Sequence, residues 1–135
     1  MKKLFSTRCS DASFAFATLV LRIGLGVMMI PHGYSKLVNF AAKSHSYIDP
    51  FHIGSTLSLS LNIFAEFFCA AFIILGLMTR LACIPLIIAM LVAIFFAHNG
   101  QIIGDGEKAA LYLTGFIALL FTGPGKVSMD RLIGK

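Results

Sequence analysis

Six ionisable side chains stand inside or at the edges of stretches that are otherwise apolar: Arg22, His32, Lys36, Glu66, His98 and Glu107. Arg22 interrupts an uncharged run from Phe14 to Ile30, and Glu66 is the only charge between Leu57 and Met78. A charge in such a run needs a partner, a water-lined cavity or a task. An Arg and a Glu at similar depth can pair, bind a polar headgroup or pass a proton. A His or Lys at the rim of an apolar groove can donate a hydrogen bond to a ring carbonyl, as quinone recognition requires. Two histidines on different helices, His32 and His98, with Glu107 as a third ligand, have the donor types for a metal or a haem. That set has no H-x-x-x-H or E-x-x-H spacing behind it, so the reading adopted has no metal ligands.

The elements that carry these residues are helical and long. At about 100° per residue, Arg22, Gly26, Met29, Gly33 and Lys36 share one helix face, with His32 beside them. The periodicity predicts helices over about 14–36, 57–78, 81–97 and 107–122, and a short interfacial helix over about 128–133. Asp11 or Ser13 can cap the first helix, and Ser128 the last. Asn62 lies one turn before Glu66 on the same face. Residues 38–56 are mixed in character and long enough to fold over one mouth of the helices. The uncharged part of the fourth helix, 109–122, is only about 21 Å long. A hydrocarbon core is about 30 Å thick, so either the bilayer thins around this helix or Glu107 and Lys108 are drawn toward the core.

Composition names the solvent. Of 135 residues, 58% are hydrophobic and 13% charged, and the mean hydropathy is +0.88. Soluble domains carry about 25% charged residues. A soluble core of this size cannot hide so much apolar surface, so the bilayer is the expected medium. The net charge of +5 does not point to nucleic acid, because the basic residues gather at the ends and in one short turn. Lys2, Lys3, Arg8, Arg80, Lys126, Arg131 and Lys135 fall on one side of four membrane helices, and Lys36, Lys43 and Lys108 on the other. By the positive-inside rule both termini are cytoplasmic. The start, with Arg22 inside its apolar run and no A-x-A-type cleavage site, reads as a retained membrane helix rather than a signal peptide. Cys9, Cys69 and Cys83 make no C-x-x-C pair, so neither a disulfide framework nor a zinc ribbon is indicated.

Depth then suggests two polar clusters. Arg22 lies roughly 12 Å and Glu66 roughly 18 Å from the inner ends of their helices, a gap that two extended side chains can bridge. Each costs about 2.5–3.5 kcal/mol at a helix centre, and a close pair at an effective dielectric of 20 recovers about 4 kcal/mol. A plain pin between two helices is therefore as good a reading as a functional site. The outer cluster holds His32, Lys36, His98 and Glu107. Glu107 also has a simpler role, as a carboxylate at a helix N-terminus.

Taken together, certain residues resemble the DoxX family of small bacterial and archaeal membrane proteins. They are Arg22 with Pro31-His32-Gly33 and Lys36-Leu37; Glu66 with Gly76-Leu77-Met78-Thr79-Arg80-Leu81-Ala82; Ala97-His98; and Gly106-Glu107 leading to Gly123-Pro124-Gly125-x-x-Ser128-x-Asp130. The resemblance spans about residues 15–132. It implies an all-α, four-transmembrane-helix bundle in the cytoplasmic (inner) membrane, forming a single domain over 1–135. The family name is tied to thiosulfate:quinone oxidoreduction and to membrane complexes that deal with oxidative stress, and a named oxidoreductase role does not pass to this chain on the family label alone. Lacking a cysteine pair, the chain is not expected to run a thiol–disulfide relay of its own.

A first reading and its alternatives are carried forward. The first is a redox-associated membrane subunit in which Arg22, His32, Lys36, Glu66, His98 and Glu107 bind a quinone-like or small anionic ligand, with other membrane or soluble redox subunits as partners. The alternatives are a non-catalytic scaffold or assembly factor for soluble partners, or a small-solute transporter. Quinone is the cofactor class favoured, ahead of haem or metal, and self-association into a homo-oligomer is compatible with each.

Overall fold

The computed structural model describes residues 4–97, 99–100, 102–104 and 106–134, and among them helices are the only regular elements. The first helix, α1, spans Asp11–Val38 and continues through Pro31. It starts three residues earlier than expected because Ser10 supplies the cap, its hydroxyl accepting from Ser13 N at 3.1 Å. Asp11 then sits in the first turn, where the positive helix end favours it. A short helix, α2 (Phe40–Lys43), follows in the mixed segment. Three more long helices are α3 (Ser55–Leu75), α4 (Thr79–Ala97) and α5 (Glu107–Thr122), and a last short one is α6 (Met129–Ile133). Ser128 caps α6 as expected, accepting from Arg131 N.

Three of these helices, α1, α3 and α4, are long and apolar enough to cross a membrane, with mean hydropathies of 1.9, 2.0 and 2.5. The fourth long helix, α5, has 16 residues, about 24 Å at 1.5 Å per residue. Large apolar side chains such as Phe16 and Phe121 face outward, which in water would mark an aggregating surface and in lipid is the ordinary exterior. The chain is an integral membrane protein.

Each long helix packs on two others, α1 and α4 both lying against α3 and α5. Met29, Cys69, Ile73, Cys83, Leu86, Phe116 and Leu119 fill the space they enclose. Small residues set the close approaches. A Cβ built on Gly33 would lie 2.7 Å from the backbone nitrogen of Phe67, and one on Gly115 would lie 2.5 Å from Leu25 Cδ1. Gly24 has nothing within 4 Å of the same position. Gly33→Ala must therefore part α1 from α3 and is expected to cost about 1–3 kcal/mol. Gly24→Ala is expected to be neutral or slightly stabilising. Thermal unfolding of the two variants in one detergent checks the contrast.

Two helices are not regular throughout. Residues Phe64–Cys69 of α3 and Ala93–Ala97 at the end of α4 are wound with i→i+5 bonds. Such turns insert a residue, re-aim the side chains around them and recur at functional sites. Periodicity alone gave no sign of them.

One end of the helices is closed by a clamp built on Arg22. Its Nε donates to Ile73 O and its Nη2 to Ile74 O, each at 3.0 Å. Its Nη1 donates to Pro124 O at 2.7 Å and to Val127 O at 2.5 Å. Two of these acceptors are carbonyls in the last turn of α3, where intrahelical partners run out; Ile73 O also accepts from Gly76 N at 3.1 Å. The rest of that helix end is closed by Gly76 in the left-handed region, with Leu77 N donating to Phe72 O at 2.8 Å. On the other side of the same turn, Asp130 accepts from Met78 N at 2.6 Å and Thr79 N at 2.9 Å, the amides of the cap residue and the first residue of α4. Asp130 N donates in turn to Gly76 O at 2.8 Å.

The expected Arg22–Glu66 pair is therefore not formed. The expectation set the inner ends of α1 and α3 level with each other. In the structure Arg22 lies beside Ile73 and Ile74 at the end of α3, two turns or about 11 Å along the helix from Glu66. The overhang of α1 is covered by residues 123–128. A Cβ on Gly125 would collide with Thr18, and Lys126 Nζ reaches Asp11 at 3.1 Å.

Candidate functional site

At the other end the helices enclose a cavity of about 450 Å³, within the 300–1,000 Å³ usual for small-molecule sites. Every long helix contributes. α1 supplies Met29, His32 and Lys36; α3 supplies Asn62 and Glu66; α4 supplies Ala89, Met90 and the irregular turn with Ala93 and Ala97; α5 supplies Lys108, Ala109 and Tyr112. Both i→i+5 turns border it, one carrying Glu66 and the other leaving only small alanine side chains at the wall.

Glu66 is buried and Lys36 is 22% exposed, and their Oε2–Nζ distance is 2.7 Å. The same ammonium lies 5.8 Å from the centroid of the Tyr47 ring, in cation–π range. Tyr47 comes from the segment between α2 and α3, which folds over this end of the bundle and places Tyr47 and Ile48 in the cavity wall. The segment is tied down by its own polar groups. Ser55 Oγ donates to Ser44 O and Ser58 Oγ to Ile48 O, both at 2.7 Å, while the Asp49 carboxylate accepts from Ile53 N and Gly54 N. Burial, with the Glu66 charge adding to it, pushes the Tyr47 phenol up to about 12. It therefore stays protonated, and a donor, across the physiological range.

His32 stands edge-on to Tyr112 with ring centroids 6.0 Å apart. Asn62 Nδ2 is buried and has no hydrogen-bond partner among the described residues. A buried amide without a partner costs about 1–3 kcal/mol. The wall is mainly apolar, and among the described residues its donors (Lys36, Lys108, His32, Asn62, Tyr47, Tyr112) stand against a single carboxylate, Glu66. Such a site suits a ligand with oxygen acceptors on an otherwise apolar body.

The structure thus brings together three of the residues singled out in the sequence, His32, Lys36 and Glu66. Arg22 belongs to the clamp at the opposite end. Glu107 is exposed on the first turn of α5 and does not line the cavity; its neighbour Lys108 does. His98 lies outside the described residues, and with it the suggested His32–His98 ligation. Among the described residues no three His, Cys, Asp or Glu side chains gather as metal ligands do. Tyr47, Lys108 and Tyr112 were missed as cavity residues. Asn62 had a signal, its place one turn before Glu66.

This is a helical membrane protein with a donor-rich cavity at one end and an arginine-tied turn at the other. Its residues 17–99 match the model of the DoxX family, and the chain belongs to that family. It is 28% identical over 123 residues to the inner membrane protein YqjF of Escherichia coli, covering 87% of this chain and 92% of that one. It is 27% identical over 134 residues to the uncharacterized membrane protein Rv3486 of Mycobacterium tuberculosis, covering 88% and 82%. An uncharacterized protein of Haemophilus influenzae is 31% identical over 118 residues, covering 82% and 86%. No solved structure matches.

Proposed function

We propose that this chain is a redox-associated membrane subunit whose cavity holds a quinone-like ligand or a small anion through its acceptor oxygens. The observation that carries the reading is the Glu66–Lys36 pair in the wall of a mostly apolar cavity, with Asn62 in the same wall and its amide without a partner among the described residues. Glu66 holds the Lys36 ammonium at the wall, where it can share its remaining hydrogens with a ligand oxygen. His32 and the two tyrosines supply further donors. The chain is read as a single domain of four membrane-crossing helices, α5 being accommodated by local thinning of the bilayer. Lys/Arg asymmetry supports cytoplasmic termini, and the name of the Escherichia coli relative supports an inner-membrane location.

Asn62→Leu tests the reading. It removes the orphan donor and keeps the volume, so helix content and thermal stability are expected to hold or rise slightly. Affinity for a benzoquinone, measured by equilibrium dialysis in nanodiscs, is expected to fall about tenfold, the loss of one well-made hydrogen bond. Unchanged affinity for benzoquinone and for small carboxylates alike would remove the cavity from consideration as the binding site.

A further inference from the structure

A second cavity of about 400 Å³ adjoins the first, in the seam between α1 and α5. It shares His32, Lys108 and Tyr112 with the first, and its other walls are Leu25, Met28 and Leu111. Met28 and Leu111 are well exposed on the outer surface, which in this protein is the lipid side. The seam has a floor: Leu25 presses on Gly115, where the two helices touch. The opening therefore lies between that contact and the first turn of α5. The seam on the opposite flank, between α3 and α4, is different. It too borders the first cavity, but its own hollow is smaller, about 250 Å³, and Tyr47, Pro50, Phe51 and Ile53 from the segment after α2 stand in its wall.

From this arrangement we infer that the ligand is a single-tailed amphiphile that enters sideways from the bilayer between α1 and α5. Its oxygen-bearing head reaches the donors of the cavity while its tail stays in the Leu25–Met28–Leu111 groove. The inference rests on the cavity reading above and adds the tail and its route. The boundary chemistry fits. His32, Lys108 and Tyr112 sit where head passes into tail, and each has an apolar body with a polar tip that can follow the head inward. Among the described residues, the cationic groups Lys36 and Lys108 against the single carboxylate Glu66 favour a head that is anionic or accepts hydrogen bonds. Isoprenoid-type quinones and fatty acids share that chemistry, and the experiment separates them.

The test uses the full chain in phosphatidylcholine nanodiscs with two pairs of probes. One pair is a fully substituted benzoquinone with a decyl tail and tetramethylbenzoquinone without one. The other is palmitate and butyrate. Met28→Trp and Leu111→Trp fill the groove from the lipid side, where a larger side chain does not disturb the core. Phe121→Trp, on the outward surface of α5 away from the groove, is the control. In at least one pair, each groove variant is expected to weaken the tailed probe about tenfold, as if roughly two methylenes lost their place. The short probe is expected to bind more weakly and to be unchanged by the tryptophans, and Phe121→Trp to change neither. Tailed binding that survives both groove variants, or short and tailed probes that weaken equally, overturns the sideways route and leaves the cavity reading standing. Failure of every probe to bind the unaltered chain overturns both.

Discussion

Arg22→Met is expected to destabilise the protein by at least about 3 kcal/mol, because it removes four hydrogen bonds to backbone carbonyls at once. Against a total stability of about 5–15 kcal/mol for a domain, that is a large fraction. The loss should appear first at one place. Residues 123–134 are held by Arg22 through Pro124 O and Val127 O and by Asp130 through the α3–α4 turn. They should become sensitive to protease before the rest unfolds. Arg22→Lys keeps the charge but offers one ammonium where the guanidinium spreads its donors over two chain segments, so it should recover less than half the loss. Ligand affinity of the folded fraction should be unchanged, since Arg22 lies at the end away from the cavity. Limited proteolysis and thermal unfolding in detergent check the first two expectations, and dialysis the third.

Glu66→Leu should have the second large effect, and it has two separable parts. Removing the carboxylate leaves the partly buried Lys36 ammonium without its counter-charge, which costs about 3 kcal/mol. It also frees Lys36 to leave the wall, so ligand binding should be lost. The double variant Glu66→Leu/Lys36→Leu tells the parts apart. A buried ion pair replaced by apolar side chains is often neutral in stability, so the thermal midpoint should return to near that of the unaltered chain while binding stays absent. Recovery of both would mean that the pair is only a pin between α1 and α3.

Helix existence was legible in the sequence because apolar runs punctuated by Pro, Gly and caps leave few alternatives. The helix expected over 107–122 matches α5 at both ends, and α1 differs at its start because Ser10 outcompetes Asp11 as a cap. The shared face of Gly26, Met29 and Gly33 was readable from the 3.6-residue period, and those residues are buried. What could not be read was register. Sequence gives the length of each helix but not how far one slides along another, and Arg22 and Glu66 were matched by assuming level ends. The residues that set the slide lie about a hundred positions away, in Gly123-Pro124-Gly125 and Asp130, whose turn-forming character was plain but whose docking site was not. The i→i+5 turns were hidden because they leave hydrophobicity unchanged. Tyr112 was hidden because a tyrosine in an apolar run reads as an interfacial residue until its neighbours are known.

The clamp also has a bearing on how the protein is made. Arg22 is translated 102 residues before Pro124 and 105 before Val127. Until that later stretch leaves the ribosome, two of its four acceptors do not exist, and a guanidinium is left among lipid with its needs half met. The nascent first helix should then sit shallow or stay with the insertion machinery, and settle only once the distal loop arrives. A chain interrupted before Pro124 would carry an unmet charge that a membrane protease could read as a mark of unfinished synthesis.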